Sequence, residues 1–72
     1  MAHDFSGQLR RLRKRRGLSC KLLGELCGLS KNTIGLYERG ERRPTVEALV
    51  AIADFFDITV DELLGRGGIA AK

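Results

Sequence analysis

An all-α fold, a compact bundle of five short helices, is what this 72-residue chain predicts, and three observations predict it. Serine or threonine stands ahead of four apolar stretches, at Ser19, Ser30, Thr45 and Thr59, where a hydroxyl can accept from the free N–H groups of a first helical turn. Glycine follows three stretches, at Gly17, Gly28 and Gly40, and glycine closes helices readily. Apolar residues recur at helical spacing, and no segment alternates as a strand would.

Leu9, Leu12 and the stem of Arg16 share one face, with Phe5 ahead of them. That gives a first helix over 6–16, basic on its other faces and stopped by Gly17. Ser19 caps a second helix, 19–27, whose apolar positions are Leu23, Leu26 and Cys27 and which Gly28 closes in left-handed geometry. Ser30 caps a third, 30–39, ended by Gly40. Beyond the polar loop Glu41-Arg42-Arg43-Pro44, Thr45 caps a fourth, 45–56, with the stripe Val46, Leu49, Val50, Ala53 and Phe56. Thr59 opens a fifth, 59–64, and Glu62 three residues later completes a capping box. One domain is expected over 1–65. The run Gly65-Arg66-Gly67-Gly68 makes 66–72 an expected flexible tail.

A chain this short buries only about 60% of the surface it exposes when unfolded, which leaves no room for an enzyme cleft. No nucleophile and base stand together, so catalysis is not expected. The net charge is +4, but it is unevenly placed. Through Arg43 there are 11 Lys/Arg against 4 Asp/Glu, and from Pro44 onward 2 against 5. The basic part predicts a polyanionic partner, since neutralising phosphates releases counterions. No stretch is apolar enough to span or anchor in a membrane. Cys20 and Cys27 would lie on one side of one helix, too far apart for a disulfide. With no C-x₂₋₄-C spacing and a lone His3, neither a metal site nor a cofactor is expected. No leader motif is evident, so a reducing cytoplasm with both thiols free is the expectation.

Residues Ser19 to Gly40, SCKLLGELCGLSKNTIGLYERG, are two short helices joined by a tight glycine turn, the arrangement of a helix-turn-helix reader. At about 100° per residue, Ile34, Tyr37 and Glu38 fall on one side of the second helix and Asn32, Gly35, Leu36 and Arg39 on the other. One side packs and the other can enter a groove. With the segments LRRLRKRRGLS, GLSKNTIGLYERGERRP, VEALVAIADFF and ITVDELL, the chain resembles the lambda-repressor-like domains of the Cro/CI and xenobiotic-response-element families over about 9–64. The resemblance implies a sequence-specific transcriptional regulator of the repressor kind. Its third helix would enter the major groove of double-stranded DNA at an inverted-repeat operator, as a homodimer with half-sites about 34 Å apart.

By that resemblance Lys31, Asn32 and Leu36 face base edges, where lysine suits guanine, asparagine adenine, and leucine a thymine methyl. Contacts to the DNA backbone fall to Arg10, Ser19, Cys20, Lys21, Ser30, Thr33, Arg39, Arg42 and Arg43. Arg13 and Glu38 interrupt the apolar faces of helices one and three, and a buried charge without a partner costs several kcal/mol; an Arg13–Glu38 ion pair is therefore expected.

Relatives generally carry glutamine where this chain has Cys20, which can neither brace the recognition helix nor hold a phosphate well. A thiol there could respond to oxidation. Leu22 and Leu26 stand where polar residues are common, and an apolar patch implies a protein partner. That is the competing expectation: an antitoxin or anti-regulator using the same fold to grip a protein. Val60, Leu63, Leu64 and Ile69 offer apolar surface for pairing two copies, unless Leu63 or Leu64 closes the core. Gly24 lets helices two and three approach. Gly35 weakens its helix by about 1 kcal/mol, and either tolerance or a close approach of DNA accounts for it.

Overall fold

Side-chain caps set where three helices begin. In the computed structural model, which describes residues 5–65, Ser19 Oγ accepts from Leu22 N, Thr45 Oγ1 from Ala48 N and Thr59 Oγ1 from Glu62 N, each at 3.0 Å. Glu62 Oε1 accepts in return from Thr59 N at 2.9 Å, completing the box. The chain runs through α1 (Phe5–Arg15), α2 (Cys20–Leu26), α3 (Thr33–Glu38), α4 (Val46–Phe56) and α5 (Val60–Leu63), with no strand among the described residues.

Four helices lie within a residue of expectation at each end, but α3 starts three residues late. Ser30 does not cap it. The Ser30 and Thr33 hydroxyls lie 2.6 Å apart and bond each other, and Thr33 N donates to Ser30 O at 3.0 Å, so 30–32 is turn. Asn32 takes the cap position without a side-chain capping bond. The turns on either side use glycine in left-handed geometry: φ is +75° at Gly28 and +73° at Gly40, where a Cβ would cost about 1–2 kcal/mol. Asp57, φ +59°, ends α4 in the same geometry.

Leu9, Leu23, Ile34, Ile52 and Leu63 are fully buried, with Tyr37, Ala48, Ala53 and Phe56 beside them. Each large aliphatic side chain contributes roughly 1.5–3 kcal/mol on burial. α1 packs on α3 and α5, α2 on α3, and α4 on α5. Arg16 extends the α1 contact to the end of α4, its guanidinium carbon 5.1 Å from the Phe56 ring centroid and 5.9 Å from that of Phe55, a cation–π arrangement.

Two expected faces are corrected, and on a third the core-closing alternative holds. On α4, Val46 and Val50 are 72% and 44% exposed; the buried arc is Ala48, Ile52, Ala53 and Phe56, with half-buried Leu49 within it, roughly a third of a turn away. On α2, Leu26 is 52% exposed, and Leu23 carries the core contact. On α5, Leu63 is in the core, which leaves only half-buried Val60 and Leu64 of the expected pairing residues. Ile69 and the expected tail, 66–72, lie outside the described residues, as does His3.

Candidate nucleic-acid interface

A six-residue helix cannot hold itself in place, because nucleation costs more than one or two turns return. α3 is held from behind and at its C-terminal end. Thr33, Ile34, Tyr37 and Glu38 are its buried residues. Arg13 Nε donates to Glu38 Oε2 at 2.6 Å and Nη2 to Oε1 at 2.9 Å, while Nη1 reaches Leu18 O at 2.8 Å. The side chains are 14% and 5% exposed. This hydrogen bond is the chief reason the Arg13 pKa is raised, aided by the Glu38 charge and opposed by burial. Ser6 Oγ donates to Tyr37 O at 2.6 Å, and Arg10 Nη2 to Glu38 O at 3.4 Å. The carbonyls at the negative end of α3 thus meet a hydroxyl and a cation of α1. The Phe5 ring meets Tyr37 edge-on at 5.6 Å.

The front of α2 sets the opposite boundary. A Cβ on Gly24 would stand 3.3 Å from Ser30 O and 3.7 Å from Ile34 Cγ1, so glycine there permits the close approach of the two helices.

What remains outward is the candidate reading surface. Lys31 and Asn32 are exposed in the turn, Leu36 is half-buried, and Arg39 is exposed at the end. The Asn32 amide makes no capping bond, so it is not committed to the helix start. Among the residues expected at the DNA backbone, Lys21, Ser30, Arg39, Arg42 and Arg43 are exposed. Arg42, Arg43 and Pro44 share an open pocket with Phe5, Ser6, Gly40 and Leu64, which brings the two arginines beside the start of α1. Ser19 is exposed, its hydroxyl engaged in the α2 cap. Arg10 is half exposed and leans on Glu38, Nε 3.5 Å from Oε1.

Two of that set stand elsewhere. Thr33 is 6% exposed with its hydroxyl bonded to Ser30, a brace within the turn and not an outward donor. Cys20 is half-buried against the core. Cys27, also half-buried, has its thiol pKa pushed up by burial. Sequence reasoning missed the Ser6 bond to Tyr37 O and the course of Arg39. Arg39 Nε donates to Glu41 Oε2 at 3.0 Å, and Nη1 lies 3.2 Å from where a Cβ on Gly35 would stand. The i, i+4 spacing puts 35 and 39 on one side of the helix but leaves open the torsion that carries the guanidinium across.

Residues 4–64 match the family model described as helix-turn-helix domain. The chain belongs to that family. It is a helix-turn-helix domain of the lambda-repressor-like, Cro/CI type, as its motifs imply. Among similar proteins, the transcriptional regulator AnsR of Bacillus subtilis is 49% identical over 59 residues, which are 82% of this chain and 51% of that protein. The restriction-modification controller protein C.AhdI of Aeromonas hydrophila superposes with a TM-score of 0.76 at 37% identity, covering 82% of this chain and 89% of its own. The P22 c2 repressor, in a crystal structure with a synthetic operator, superposes with a TM-score of 0.80 at 29% identity over 86% and 94% of the two chains. This helix-turn-helix domain spans about half the length of AnsR and of a second Bacillus subtilis regulator, YobD. No helix among its described residues is long and apolar enough to cross a membrane.

Proposed function

We propose that this domain is the DNA-reading part of a cytoplasmic, non-enzymatic transcriptional regulator, a repressor, binding an inverted-repeat operator as a homodimer with α3 in the major groove. The observation that carries it is the division of α3 and its leading turn: Arg13, Ser6 and Arg10 grip the inner side and C-terminal end of the helix, while Lys31 and Asn32 are exposed in the turn and Leu36 is half-buried on the outer side. Lys31 and Asn32 hydrogen-bond base edges in this reading, and Leu36 meets a thymine methyl. Arg10, Ser19, Lys21, Ser30, Arg42 and Arg43 line the phosphates on either side, where contacts fix register without reading sequence. Similarity to the operator-bound P22 c2 repressor supports the same choice. Val60 at the start of α5 and Leu64 just after it, both half-buried, are the pairing surface.

Selection of bound duplexes from a random pool, at low and near-physiological salt, tests the proposal. One inverted-repeat motif surviving the higher salt is the expected result. Binding that yields no motif and vanishes as salt rises would leave only phosphate attraction. The protein-binding alternative would then gain, because Leu22 and Leu26 are 41% and 52% exposed on α2.

A further inference from the structure

We propose that Arg39 reads a base, selecting guanine, and that Gly35 is the notch that lets its guanidinium lie across the reading side of α3; this rests on the DNA-binding function proposed above. A Cβ built on Gly35 meets one atom within 4 Å, Arg39 Nη1 at 3.2 Å. The space over Gly35 is otherwise open, and the guanidinium occupies it. Side chains on a helix lean toward its N-terminus, so residue 39 covers the turn at 35, on the side of α3 that also carries Asn32 and Leu36.

Glu41 pairs with the same guanidinium at the surface. Its backbone N–H donates to Leu36 O at 2.9 Å beyond the left-handed Gly40, and its Oε2 accepts from Arg39 Nε at 3.0 Å. With Nε turned to Glu41 and Nη1 over Gly35, the two Nη groups are the remaining donors of a planar fork. That fork matches the O6 and N7 acceptors of guanine in the major groove. The same pairing accounts for a carboxylate within the run Arg39 to Arg43, where an unpaired acid would repel a polyanion.

The test is selection from the random duplex pool at near-physiological salt with wild type, Arg39→Ala, Arg39→Lys and Gly35→Ala, each also melted thermally. Wild type is expected to select a guanine in each half-site, and Arg39→Ala to lose that preference by about 5- to 150-fold while the other motif positions persist. Arg39→Lys keeps the charge without the fork, so it should hold affinity better than guanine preference. Gly35→Ala is the sharpest arm. Removing a mid-helix glycine should raise Tm by roughly 4–8 °C, yet the new methyl presses on Nη1, so the same guanine preference should weaken. An Arg39→Ala motif unchanged at every position, with uniformly lower affinity, would make Arg39 a phosphate contact and overturn the proposal. A Gly35→Ala protein with wild-type guanine preference would overturn the notch. If wild type selects no motif, the DNA-binding reading itself fails and takes this one with it.

Discussion

Glu38 receives Arg13 as a two-pronged fork, Oε2 2.6 Å from Nε and Oε1 2.9 Å from Nη2, while the third arginine nitrogen holds Leu18 O. One guanidinium therefore ties α1, the turn after it and α3 together. Deleting the acid leaves that cation mostly buried without its counterion. Glu38→Ala should lose about 3–5 kcal/mol of stability, and Glu38→Gln, which keeps an acceptor, should lose less. Urea unfolding measures both. A Glu38→Ala protein of normal stability but altered base preference would assign Glu38 to the reading surface instead.

Gly24 faces a backbone carbonyl, Ser30 O, at 3.3 Å from an ideal Cβ, and a carbonyl in a tight turn cannot swing away as a side chain can. Gly24→Val should destabilise by about 1–3 kcal/mol through overpacking. It should also displace the turn that carries Lys31 and Asn32, so the folded fraction should bind its operator less tightly. Unfolding curves and DNA titration at matched folded fraction separate the two effects; wild-type affinity would mean that α2 does not set the position of α3.

On α4 the contrast lies between Ile52, fully buried, and Val46, 72% exposed. Ile52→Ala should cost about 2–5 kcal/mol through lost burial and the cavity left behind. Val46→Ala should stay within about 0.5 kcal/mol. Denaturant midpoints decide, and equal losses would contradict the burial described.

Burial raises the Cys27 thiol pKa from its ordinary 9.0, so the folded protein favours the protonated form. That contribution is fully present below the unfolded thiol's range and is lost as pH rises through the higher folded value. As pH rises above the ordinary thiol value, wild type should therefore lose stability relative to Cys27→Ala. Parallel stability curves for the two proteins would show that the thiol is not desolvated by folding.

Local chemistry was readable where one residue settles it. Thr45, Thr59 and Glu62 cap as their spacing requires, since a hydroxyl or carboxylate three residues away has one obvious N–H to take. At α3 the signals compete: Ser30 and Thr33 both carry hydroxyls, and they bond each other, so the helix starts later. Asp57 ends α4 at positive φ without the glycine that would announce it. The face of α4 was misjudged because apolar residues surround most of it. Glu47 and Asp54, seven residues apart and both exposed, mark its solvent side, and the buried arc lies opposite. Leu63 and Leu64 are indistinguishable until α1 packs against α5. The Arg13–Glu38 contact was legible from charge on apolar faces, whereas the path of Arg39 depends on a side-chain torsion that sequence spacing does not specify.

The tethers of α3 have an evolutionary consequence. Ser6, Arg10, Arg13 and Gly24 all act on its inner side or its ends, so positions 31, 32, 35, 36 and 39 can change without disturbing what keeps the helix in place. Target preference and foldability are then inherited through separate sets of residues. Descendants of such a chain can drift to new DNA sequences one outward side chain at a time, with each intermediate still a folded protein.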